Sequence, residues 1–259
     1  MKFGLVVMVL SVLMSLDASA NPLSFLKKEI KRNGYILYRT PLSSAGTGTL
    51  VGGSPRAMSI VADPQTCFPD QVNGRPMTFR KVEDTNLGTV HQRSSFEGKA
   101  VVDLFKFMNT ANSIFVIKAG VDSIQSVDLE LEGAKVEYID TVLLQDFYQN
   151  QMSTPCKKIL NSVGFIIQAL RVNKMKYSFR NKTGALINLS TEGMSQYFDL
   201  NVDVGYHIEN DYTLVIDTPK YIGYQLGRLR EDDQGVALYR SYRTFMDRYV
   251  FKSIGIFGR

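Results

Sequence analysis

"SVDLELEGAKVEYID", residues 126–140, decides the fold. Val127, Leu129 and Leu131 fall on one face of an extended chain, and Asp128, Glu130 and Glu132 fall on the other. That period of two marks a half-buried strand. After Gly133 the pattern resumes with Val136 and Tyr138. The two runs predict a hairpin in an antiparallel sheet with one wet face. "TVLLQDFYQN" (141–150) then predicts a short helix. Further out, Met175, Tyr177 and Phe179 alternate with polar residues, as do the residues of 198–208. An Asn210–Asp211 turn returns the chain into "YTLVIDTPKYIGYQLGRL". Helices break up the strands. Residues 23–33 carry a Ser24 cap and a Gly34 terminator. Residues 153–170 pair a Ser153 or Thr154 cap with Pro155, and Ile159, Leu160, Val163, Ile166, Ile167 and Leu170 recur at helical spacing. The class implied is α+β, a mostly antiparallel twisted sheet with a few short packed helices.

Residues 1–20 read as a cleaved signal peptide. Lys2 precedes the apolar run 4–16, and "ASA" at 18–20 is a small-residue cleavage site before Asn21. The expected location is periplasmic or secreted. Residues 21–240 then form a single α+β domain, and 241–259 an apolar C-terminal segment. No later stretch is long and apolar enough for a spanning helix. The net charge of +5 suits an anionic surface and lacks the dense basic stripe of a nucleic-acid binder. Cys67 and Cys156 are the only cysteines. An even count in an exported chain points to one disulfide, with two free thiols as the alternative.

Chemical motifs are sparse. His91 and His207 stand alone, and His207 lies on the polar face of its strand. "GTGTLVGG" (46–53) lacks the Lys-Ser/Thr of a phosphate loop, and no G-x-S-x-G elbow occurs. The carboxylates of 128–132 read as a solvated face. These absences predict a protein that is not an enzyme and has no cofactor and no metal site. Residues 42–80 are rich in Gly, Pro, Ser and Thr and read as a long functional loop pinned by Cys67.

Two features point outward from the core. Lys27, Lys28, Lys31 and Arg32 form the basic side of the first helix and are candidates to touch an anionic membrane. The tail "YVFKSIGIFGR" (249–259) is apolar where chain ends are usually polar. Phe245, Tyr249, Val250, Phe251, Ile254, Ile256 and Phe257 make it either a closing strand or a detachable plug. Residues 230–235, "REDDQG", Arg240 and Arg243 offer cleavage points upstream. The long alternation at 198–208 also fits a membrane β-strand, although an ordinary half-buried strand shows the same pattern.

Four stretches carry a family resemblance. "KKEIKRNGYILYRTP" looks like a short basic helix entering a first strand. "VDLELEGAKVEYIDTVLLQDFY" looks like strand, strand and short helix. "VGFIIQALRVNKMKYSF" is similar to a helix feeding a strand, and "NDYTLVIDTPKYIGYQLGRL" to a late strand pair. In these the chain resembles the bacterial gasdermins. The resemblance implies a pore-former held inactive by a short C-terminal segment, which proteolysis removes before strands lengthen into the membrane and many copies assemble. Two departures stand out: the signal peptide, and the absence of a cysteine near the N-terminus for acylation. The functions expected are therefore an exported module that binds an envelope protein or an anionic membrane surface, or a latent gasdermin-like pore-former. Oligomers belong only to the second, and nucleic acid to neither.

Overall fold

Three long runs of chain, 124–139, 164–181 and 213–232, form the middle of the molecule, and each passes from one sheet into a second. The computed structural model describes residues 22–72, 74–85, 92–95, 107, 115–117, 123–190, 197–200, 206–232 and 235–257. Residues 1–21, on which the signal-peptide reading falls, His91, most of 96–114 and residues 201–205 of the long alternation lie outside them. The first elements are α1 (Pro22–Arg32), β1 (Ile36–Leu42), β2 (Leu50–Gly52), β3 (Ser59–Ala62), α2 (Pro64–Cys67), β4 (Gln71–Val72), β5 (Arg75–Pro76) and β6 (Arg80–Asp84). Next come β7 (Gln92–Ser95), β8 (Phe115–Ile117), β9 (Ile124–Glu132), β10 (Lys135–Ile139), α3 (Thr141–Asn150) and α4 (Thr154–Ser162). Then follow β11 (Gly164–Val172), β12 (Lys174–Asn181), β13 (Phe198–Leu200), β14 (Tyr206–Glu209), β15 (Thr213–Ile216) and β16 (Lys220–Asp232). The chain closes with β17 (Gly235–Ser241), β18 (Thr244–Phe245), β19 (Arg248–Tyr249) and β20 (Lys252–Phe257).

The larger sheet runs β20-β17-β16-β11-β10-β6, with β1 also on β16 and with β2 and β3 on the flank of β11. The smaller runs β14-β15-β12-β9-β7. The pairings among the described residues are antiparallel, and four helices accompany them, which fits the α+β class.

The expected hairpin at 126–139 does not form. β9 pairs with β12 and β7 in the smaller sheet, while β10 pairs with β11 and β6 in the larger. Gly133 is therefore a corner within one continuing run. Its φ of +62° and the Asn173 amide, which a Cβ there would approach to 2.6 Å, both demand glycine. The Asn173 N–H donates to the Glu132 carbonyl at 3.0 Å across the bend. The neighbouring runs turn at the same level, at Asn173 and at Asp217–Pro219.

The helix expected over 153–170 is also shorter. α4 stops at Ser162, Val163 is already extended, and 164–172 is strand β11. β11 pairs with β16 on one side and with β2 and β10 on the other. Phe165 and Ile167 enter the core beneath α3 and α4, while Ile166 and Ala169 enter the core beneath β1. A strand covered on both faces shows a continuous apolar run, so its period is lost. Lys157, on the first turn of α4, donates to the Gln149 carbonyl in the last turn of α3 and lies 5.1 Å from the Tyr148 ring centre. The adjacent helix end thus offsets the unfavourable position of that charge.

Residues 42–80 are not one loop, since they carry β2 to β5 and α2 and begin β6. Cys67, at the end of α2, is bonded to Cys156 in α4. With both sulfurs joined, the alternative of free thiols falls away. Among the described residues no helix is long and apolar enough to cross a membrane.

Candidate functional site

α1 presents two different faces. Leu26 and Ile30 are wholly buried, while Lys27, Lys28, Lys31 and Arg32 are exposed. Burying the apolar face holds the helix against the sheet, and the flexible basic stems are left in water. Gly223 allows the close approach, since a Cβ there would come within 3.2 Å of Ile30. Gly34 ends the helix at φ +81°, and its carbonyl accepts from the Gln225 amide at 2.8 Å. Arg32 pairs with Glu29 at 3.3 Å.

The C-terminal segment comes back beside this helix. After β17 the chain makes a tight hairpin, β18–β19, whose turn residues Met246 and Asp247 have φ of 44° and 57°. Val250 N–H closes it on the Arg243 carbonyl at 3.1 Å. β20 then adds to the edge of the larger sheet and, among the described residues, pairs with β17 alone. The segment is a strand at the edge of the sheet. Ile256 and Phe257 belong to its backbone pairing, opposite Ala237 and Val236.

Two anchors tie the hairpin down. The Asp247 carboxylate accepts from Ser54 Oγ and from the Arg56 backbone N–H, both at 2.8 Å. Tyr249 puts its hydroxyl 3.0 Å from that of Tyr224, with the rings edge to face at 6.4 Å. Phe251 packs on Tyr249 at 6.2 Å. Behind them Tyr38 lies 4.5 Å from Tyr224 and donates to the Ala45 carbonyl. Burial pushes the Tyr224 phenol far above its ordinary value, and the neighbouring Tyr249 hydroxyl adds to this. Burial also raises Tyr249, although the bond to Tyr224 acts the other way.

The rest of the segment is wet. Phe245 is 65 % exposed and Met246 82 %, and Ile254 is exposed as well. Of the expected plug residues, Tyr249, Val250 and Phe251 are thus half-buried, whereas Phe245 and Ile254 are not packed away. Arg240 is not an accessible cleavage point. It lies inside β17, paired with Gly227 on one side and Lys252 on the other. The charged turn expected at 230–235 is strand through Asp232. Arg243 remains exposed, in the link just before the hairpin.

Between α1 and this hairpin lies a cleft of about 360 Å³, lined by Lys27, Lys31, Arg56 and Arg243 with Asp247. The structure thus brings two of the four basic helix residues together with the C-terminal segment. Lys28 and Arg32 do not line the cleft. Sequence reading missed Ser54, Arg56, Tyr224 and Asp247. The available signal was slight: one acidic residue in a turn among aromatic residues. Among the described residues no cluster of His, Cys, Asp and Glu could hold a metal.

No family model matches the sequence, and neither does any curated protein. Among solved structures the chain is similar to a bacterial gasdermin from Bradyrhizobium tropiciagri. The TM-score is 0.46 at 11 % identity, over 86 % of this chain and 90 % of that one.

Proposed function

We propose that this is an exported, latent membrane-active protein of gasdermin type, kept inactive by residues 244–257 and released by a cut after Arg243. The observation that carries this reading is how the segment is held. Among the described residues it has one strand neighbour and two point anchors, and its exposed apolar side chains add little burial. Such an edge is easily lost once its covalent tether and high effective concentration are gone. Its removal opens the basic cleft beside α1, where Lys27, Lys31, Arg56 and Arg243 attract anionic headgroups. β17 would remain, because Val236, Ala237 and Leu238 are buried. Export is supported by the disulfide, which suits an oxidising compartment. Oligomers would form only on the membrane.

Dye release from anionic liposomes tests the reading. Protein truncated after Arg243 is expected to cause leakage and the full chain none. A folded truncation that leaks no dye would refute it and leave a plain envelope-binding module, in which the segment merely finishes the sheet.

A further inference from the structure

A second cleft, also of about 360 Å³, opens beyond the end of β1, between the 43–47 loop and the start of β6. Ser43 is exposed at its lip. Directly behind Ser43 is Lys220, the first residue of β16, only 4 % exposed. Lys220 Nζ lies 2.7 Å from Ser43 Oγ. Among the described residues no carboxylate pairs with this lysine. An ammonium buried without a counter-charge is costly, so burial favours loss of its proton. Burial accordingly lowers its proton affinity. A hydroxyl at a cleft mouth, hydrogen-bonded to a buried amine, is the geometry of an activated nucleophile.

We propose that Ser43 and Lys220 form a nucleophile–base pair that cleaves small acyl esters in this cleft. The Lys220 amine takes the Ser43 Oγ proton as Oγ bonds to the acyl carbon. The ammonium then protonates the alkoxide as the ester C–O bond breaks, which leaves acyl-Ser43 and an alcohol. Water attacks the acyl group, Lys220 again carries the proton, and a carboxylic acid leaves with Ser43 restored. Glu137, Tyr221, Asp70 and Arg80 around the cleft have their own partners. Tyr221 donates to both Glu137 oxygens at 2.9 Å, and Arg171 pairs with Glu137 at 3.3 Å. Arg80 pairs with Asp70, and Lys81 stands at the same lip. Gly46 lets the loop lie on Tyr221, since a Cβ there would come within 2.6 Å of the phenol oxygen. This activity is independent of the C-terminal segment.

The test uses the full chain with a fluorophosphonate probe, peptide mapping and p-nitrophenyl acetate hydrolysis. Ser43 is expected to be labelled, with a rate that rises with pH to a midpoint below the ordinary lysine value of about 10.4. Ser43→Ala should abolish labelling. Lys220→Met and Lys220→Arg should each slow it about a hundredfold, since an arginine cannot give up its proton. No label on Ser43 between about pH 7 and pH 10 would overturn the proposal. So would an unchanged rate in folded Lys220→Arg. Should neither lysine variant fold, the pH profile of the natural protein decides, and a flat one overturns it.

Discussion

β11 and β20 are both strands of the larger sheet, yet they are held in opposite ways. β11 has neighbours on both sides, and its residues enter three cores. Among the described residues β20 has β17 alone, and Lys252 to Gly255 are exposed. The difference teaches that membership of a sheet says little about permanence. A strand covered on four sides leaves only when the protein unfolds, whereas an edge strand leaves at the cost of its local contacts.

The contrast can be broken hardest at β11. Phe165→Ala removes a wholly buried ring that packs 5.1 Å from Phe68, and should cost about 3–5 kcal/mol of global stability in urea unfolding. A loss as small as that of a surface substitution would show that β11 is not the spine. At the tail, Asp247→Ala removes a clamp of two hydrogen bonds to a carboxylate. The expected loss is about 1–3 kcal/mol. It should appear as faster amide exchange in 252–257 with little change in the urea midpoint. An equal loss of protection throughout the sheet would mean that the tail is core. The smallest effect is alkaline. Burial first, then Glu137, pushes Tyr221 up to about 12, and burial raises Tyr224 and Tyr249. The folded state thus prefers the neutral phenols. Their contribution is complete below about pH 10, the unfolded value, and fades as pH climbs through the folded values. The melting temperature should stay level on this account up to about pH 10 and then fall, less steeply in Tyr249→Phe.

Local signals told the truth where one face meets water. The basic helix ends at Gly34, the alternation of 127–131 and 175–179 is real, and Asn210 and Asp211 turn the chain at φ of 52° and 56°. Two signals misled. The run 164–170 has no wet face, so its apolar residues matched a helix as well as a strand. Gly133 has the positive φ of a hairpin turn but serves as a corner, and only the pairing of β9 with β12 reveals this. The candidate site was half legible. Lys27, Lys31 and the aromatic tail stood out by composition. Their meeting depends on contacts 191 to 193 residues apart, between Asp247 and the 54–56 turn, which no local pattern encodes.

The aligned bends at Gly133, Asn173 and Asp217–Pro219 have a mechanical consequence. They form one crease across three hydrogen-bonded runs. β9 and β10 cannot straighten unless β11 and β12 do so too, and β15 and β16 with them, because each is laddered to its neighbour on both sides of the fold line. Opening the crease would therefore be an all-or-none event, resistant to thermal fluctuation of any single strand and abrupt once begun.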